Sequence, residues 1–126
     1  MQRDGEYTLR LVADRRSHFA RVGLSLSPVP PGSAAASVSV ACREPDLLPS
    51  WQDAARAGVA LAINENPVDA RITKIQGTLS DTLDSTVWCA AVLAAFRALN
   101  IELAARPDFH GGVWTIILSN GNRLTR

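Results

Sequence analysis

The sequence predicts an α+β fold, a two-layer sandwich of mostly antiparallel β-sheet with two helices on one face, in the order β-β-β-α-β-α-β. Three observations carry this. The first 42 residues alternate apolar and polar side chains in three stretches, the signature of half-buried strands. Residues 85–99 form an apolar helix that only Cys89 and Arg97 interrupt after Val87. Between these regions, a helix-to-strand succession runs from Trp51 to Gln76.

Residues 6–13 set Tyr7, Leu9 and Leu11 against Thr8 and Arg10, giving a first strand. Asp14-Arg15-Arg16-Ser17 is a short charged turn, and residues 19–27 resume the alternation through Val22, Leu24 and Leu26 as an antiparallel partner. Pro28-Val29-Pro30-Pro31-Gly32-Ser33 breaks the pattern, because proline donates no ladder hydrogen bond. Residues 36–42 are the third strand. Leu48-Pro49-Ser50 opens a helix, Ser50 and Asp53 resemble a capping box, and Trp51, Ala54, Ala55, Gly58, Val59, Ala62 and Ile63 mark its buried face up to Asn64. Gly58 is costly in a helix, so it implies close approach of the sheet or the second helix.

Residues 68–76 are the fourth strand. Asp81, Asp84 and Ser85 are competent N-caps for the long helix that follows. Trp88, Val92, Phe96 and Leu99 form its bulky stripe, with Trp88 and Phe96 expected to point into the sheet. Ala91, Ala94, Ala95 and Ala98 leave a small-residue face on which another element can lie close. A helix this apolar must be buried on more than one side. Residues 101–104 suggest a short strand, 107–112 a loop, 113–118 a β-branched strand and Ser119-Asn120-Gly121-Asn122 a hairpin turn, after which 123–126 fold back or fray. The strand at 113–118 is expected to complete the sheet or to pair with a second copy.

The chain has 126 residues, 47% hydrophobic and 20% charged, so one domain spanning 1–126 is expected. No apolar run reaches the roughly 20 residues of a membrane span, and the polar start is no signal peptide, which points to a cytoplasmic protein without membrane contact. A net charge of +1 makes no global case for nucleic acid. Lys74 is the only lysine; the remaining cations are arginines, suited to phosphate or carboxylate forks. Cys42 and Cys89 show no metal spacing; two buried reduced thiols or a single disulfide both fit.

No catalytic motif, cofactor or metal site is readable, and the chain is expected not to be an enzyme. Asp108 and His110 lack a further ligand at metal spacing. Asp81 and Asp84 match an acid–base pair in spacing, but capping explains both more simply. Ser80, Ser85 and Thr86 have no adjacent base. Arg15 and Arg16 at a hairpin tip, with Arg21 on the next strand, are the best anion-binding candidates.

Several stretches resemble one family. Phe19-Ala20-Arg21-Val22 with Pro28-Val29-Pro30-Pro31-Gly32-Ser33 is similar to the Tyr-Gly-His-Val…Pro-Leu-x-Pro-Gly-Ser stretch of the fourth domain of translation elongation factor G. Trp51, Ala54, Gly58 and Val59 fall at the spacing of its Tyr-Ile-Pro-Ala-Val-x-x-Gly-Ile helix. Pro67-Val68-Asp69 and Gly77-Thr78 resemble its Pro-Val-Val-Asp…Gly-Ser strand and loop, and residues 81–99 its Asp-Val-Asp-Ser-Ser loop and long helix. The resemblance covers about residues 7–99 and leaves 101–126 as a C-terminal β extension.

It implies a left-handed β-α-β crossover and an association with the ribosomal decoding site through two tip loops, here residues 14–17 and 80–84. The glycine-rich first tip loop of the family is cut to a charged turn, its loop histidine is absent between Gly77 and Trp88, and Arg21 replaces the histidine of Tyr-Gly-His-Val. No GTPase domain or P-loop accompanies it, so a stand-alone module is expected. The expected function is association with the ribosome or structured RNA through Arg15, Arg16, Arg21, Ser80 and Asp81. The alternative is an accessory domain that binds an unidentified protein, with a homodimer through the C-terminal strand as a further option.

Overall fold

Helix α2 (Asp84–Leu99) is buried from Thr86 to Leu99 except at Arg97. The other elements are β1 (Arg3–Ala13), β2 (Arg16–Pro28), β3 (Val38–Val40), α1 (Pro49–Ile63), β4 (Val68–Gln76), β5 (Arg106–His110), β6 (Val113–Ile117) and β7 (Arg123–Leu124). The computed structural model describes residues 2–30, 32, 37–42, 47–64 and 66–126. Strands β1-β2-β4-β3 form one sheet and β5-β6-β7 a second, so the α+β architecture is observed with one small sheet added.

β1 and β2 pair antiparallel from Arg3↔Leu26 to Ala13↔Arg16. β2 and β4 are also antiparallel, with a register shift between Gly23 and Leu24, and β3 runs parallel to β4. Because successive side chains point to opposite faces, Leu9, Ala20, Val22, Leu24, Leu26, Ala70 and Ile72 all turn toward the helices and are buried. The opposite face carries Asp4, Glu6, Thr8, Arg10, Phe19 and Arg21, and no element among the described residues lies over it.

The hand of the β3-α1-β4 crossover follows from this arrangement. With β4 running upward and the helices toward the viewer, an L-residue whose side chain points at the viewer has its N–H and C=O on the right. Ala70 and Ile72 are such residues; the Ala70 N–H donates to Ser37 O (2.9 Å) and Ile72 O accepts from the Ala41 N–H (2.8 Å). β3 therefore lies right of β4, and the chain moves leftward over a helix in front, a left-handed crossover against the usual right-handed rule. The reason is steric. β4 pairs with β2, only its far edge is left for β3, and α1 must join α2 on the apolar face.

α2 meets the large sheet, α1 and β6 on three sides. A Cβ on Gly58 would stand 2.7 Å from Trp88 O and 3.1 Å from Ala91 Cβ, so the close approach implied by that glycine is to the second helix. Gly5 plays the same part on β1, where a Cβ would strike Ala94 O and Ala98. Arg97, the exposed residue of this stretch, stacks over Tyr7 at 4.6 Å and donates to Glu6 O at 3.0 Å. Trp88 and Phe96 are both buried, as expected of the bulky stripe.

Local expectations fail at several termini. The N-cap of α2 is Leu83, whose N–H donates to the Thr86 hydroxyl (3.0 Å), while the Ser85 hydroxyl accepts the Trp114 N–H (3.0 Å). Asp84 sits in the first turn, where its charge suits the helix dipole. α1 is capped at Leu48 without any side-chain bond, so Ser50 and Asp53 make no capping box. The third strand shortens to Val38–Val40, and Ala36, Pro31 and Ser33 lie outside the described residues.

Residues 101–104 are not a strand, whereas residues 107–110 of the expected loop, together with Arg106, form β5. β6 does not complete the large sheet; it pairs with β5 along its length and with β7 at Ile116 and Ile117, in a small sheet of its own. Residues 123–124 do fold back. Cys89 is buried against Thr115 O, and burial raises its thiol pKa far above the ordinary range, so it is chemically quiet. No helix among the described residues is long and apolar enough to cross a membrane.

Replacing Gly58 by alanine is expected to push α1 off α2 and destabilise the protein by about 1–3 kcal/mol in urea unfolding. Gly23→Ala, whose Cβ meets Lys74 Cβ at an ordinary 3.4 Å, serves as the control and should change little. Equal stability of the two variants would mean that the helices do not need this contact. Trp88→Ala should cost about 3–5 kcal/mol through the cavity it leaves.

Candidate functional site

The end of the molecule where β1 turns into β2 is built from two segments held together by hydrogen bonds. Asp14 and Arg15 have φ of 53° and 61°, the positive pair of a two-residue type I′ hairpin turn. That turn favours glycine or asparagine, so Arg15 holds a backbone conformation that costs an L-residue about 1–2 kcal/mol. The loop after β4 packs beside it. The Arg16 guanidinium donates to Ser80 O (2.8 Å) and the Phe19 N–H to Asp81 O (3.0 Å). The Thr82 hydroxyl donates to Phe19 O (2.5 Å) and accepts the Thr78 N–H (2.8 Å). Gly77 is needed for this, since a Cβ there would stand 2.6 Å from the Thr82 hydroxyl oxygen.

Of the five residues picked from sequence, Arg15, Arg16, Ser80 and Asp81 meet at this tip. Arg21 does not. It lies five residues further along β2, about 17 Å at strand rise, where it bonds Thr8 Oγ1 (3.0 Å) and Gln76 Oε1 (3.4 Å) on the open sheet face. Sequence reading missed Arg10 and Phe19. They are cross-strand partners, and the Arg10 guanidinium sits 5.1 Å from the Phe19 ring centroid. Strand alternation was the available signal, because it puts Arg10, Val12, Ser17, Phe19 and Arg21 on one face once the hairpin register is known.

A cleft of about 400 Å³ opens there between the hairpin and the loop, walled by Arg10, Val12, Ser17, Phe19, Thr78 and Asp81. Leu11 and His18 contribute its floor with their backbone, since this cross-strand pair turns its side chains to the other face. The His18 ring is 2% exposed, tilted against Phe109 (centroids 4.8 Å apart) and edge-on to Trp114 (5.2 Å), with Nε2 3.3 Å from Ala13 O. It ties the small sheet to the tip. The Asp81 carboxylate is half-buried and engages no hydrogen bond or ion pair among the described residues.

The open face carries charges of both signs. Arg10 and Arg21 stand toward the tip without ion-pair partners among the described residues. Toward the other end Glu6 bridges Lys74 (3.0 Å), Arg71 shares the same face, and Ser25 and Gln2 hydrogen bonds lower the Asp4 pKa. No group of three His, Cys, Asp or Glu among the described residues stands ready for a metal, and Asp108 is tied to Arg123 at 2.6 Å, away from any joint site with His110.

No protein-family model matches the sequence, and no curated protein matches it. A solved structure does. A protein of Thermus thermophilus superposes with a TM-score of 0.66 at 17% identity, over 84% of this chain and 17% of that one. The two share a fold. This chain spans only that 17% of its neighbour's length.

Thr82→Val should cost about 1–3 kcal/mol by leaving the Thr78 N–H and Phe19 O without their partner. It should also speed hydrogen exchange at the Thr78 amide more than at amides in α2. Uniform acceleration would show that the hydroxyl does not hold the loop.

Proposed function

We propose that this chain is a module of the elongation factor G fourth-domain type that associates with ribosomal or other structured RNA through its hairpin tip. The observation that carries the reading is the Arg16 to Ser80 hydrogen bond of 2.8 Å, which joins the two segments equivalent to the tip loops at one end. The left-handed crossover, which the resemblance implies, supports it. Arg15 supports it too, because a charged side chain occupies a turn position where glycine would be easier. Arg10, Arg15 and Arg16 are the phosphate-contacting groups, and no catalysis is assigned.

A second reading, a protein partner, draws on Val12 (75% exposed) and Leu79 (82% exposed), both beside the same tip. The two are separated by co-sedimentation with ribosomes at low salt. Wild type should pellet, and an Arg15→Gly/Arg16→Ala variant should not, with three phosphate contacts giving a slope of log K against log salt of about −2 to −3. Glycine is used at position 15 because it relieves the turn. Equal pelleting of both proteins would remove the arginine tip from the account, and no pelleting by wild type would remove the ribosome as its partner. Pelleting lost instead in a Val12→Ser/Leu79→Ser variant, with little salt dependence, would favour a protein contact.

A further inference from the structure

We propose that the cleft beside the tip binds one unpaired nucleotide of the RNA, with a guanine base stacked on Phe19 and its Watson–Crick edge on Asp81. This rests on the RNA reading and names the ligand chemistry of the same end. The cleft volume of about 400 Å³ lies within the range of small-ligand sites, about 300–1,000 Å³. It is open on one side, as a base still attached to its chain requires.

Phe19 supplies the platform. Its backbone is held from both sides, by Asp81 O on the N–H and by the Thr82 hydroxyl on the carbonyl, so the ring is presented on a fixed strand. The Arg10 guanidinium, 5.1 Å from the ring centroid, already shows that a flat cationic or π surface seats there. A base entering over Phe19 displaces Arg10 outward on its flexible stem, where the guanidinium covers the outer face of the base or meets the adjoining phosphate.

Asp81 supplies the selection. Its backbone is anchored by its carbonyl to Phe19 and by its N–H to the Thr78 hydroxyl (3.1 Å), while Asp81 lines the cleft and its carboxylate has no partner among the described residues. An ionised carboxylate only accepts hydrogen bonds. Guanine is the base whose Watson–Crick edge offers two adjacent donors, N1–H and the N2 amino group. The edges of adenine, cytosine and uracil each set a ring or carbonyl acceptor beside their donor, and that acceptor is repelled by the carboxylate. A negative group in an RNA-binding cleft, otherwise unfavourable, is thereby put to use.

The test measures fluorescence anisotropy of labelled pentanucleotides UUGUU, UUAUU, UUCUU and UUUUU with the full chain at low salt. UUGUU should bind about 5- to 100-fold more tightly than the others, the range a bidentate base contact provides. Phe19→Leu, which keeps an apolar side chain, should weaken all four, by a factor in the same range expected for lost stacking. Asp81→Asn should remove the guanine preference while leaving the fold intact by circular dichroism, since the Asp81 side chain bonds to none of the described residues. Equal binding of all four oligonucleotides, or a preference that survives Asp81→Asn, overturns the proposal. Ribosome pelleting by the Phe19→Leu and Asp81→Asn variants at the wild-type level, with loss only in the arginine variant, overturns the cleft and leaves the RNA reading intact. Guanine-selective binding without ribosome pelleting does the reverse, supporting the cleft and removing the ribosome.

Discussion

From Thr86 onward helix α2 has no face for water except at Arg97, and the rest of the molecule packs around it. Its contacts are so close that two glycines stand where any side chain would collide with helix backbone, Gly5 from β1 and Gly58 from α1. The large sheet, α1 and β6 each take one side. An apolar helix of this length exposed on even one side would present a sizeable sticky surface, so the small C-terminal sheet is part of the core through Trp114 and Ile116.

Packing both helices on one face leaves the other face of the large sheet uncovered among the described residues. That face is polar by strand alternation, and the hairpin extends it to the tip. The loop after β4 is pinned there through Thr82, Asp81 and Arg16, and the pinning runs to backbone atoms of β2 in two of the three cases. Tip geometry is thereby tied to the same strand whose other face carries Ala20, Val22 and Leu24 into the core. His18, wedged against Phe109 and Trp114, links the tip to the C-terminal sheet as well. A rigid support beneath exposed arginines and an aromatic ring is what a binding surface requires.

Much of the fold is legible because the relevant signals are periodic and local. Alternation marks β1, β2 and β4, helical spacing marks the buried face of α1, and Gly58 announces a close approach. β5 is hidden because Pro107 reads as a strand breaker, yet an edge strand tolerates a missing N–H. The caps of α2 escape sequence reading because Ser85 spends its hydroxyl on Trp114, a partner 29 residues away.

The sequence by itself determined that two helices must share one apolar sheet face, that α2 must be covered on several sides, and that arginines occupy a hairpin turn. These follow from side-chain periodicity and from the cost of wetting apolar surface. Only the tertiary structure decided which charged residues meet. Arg16 reaches Ser80 across 64 positions, while Arg21, only five positions from Arg16, stands apart on the sheet, because strand rise separates near neighbours and strand pairing joins distant ones. The cleft of Arg10, Phe19 and Asp81 arises the same way, from hairpin register on one side and a pinned loop on the other.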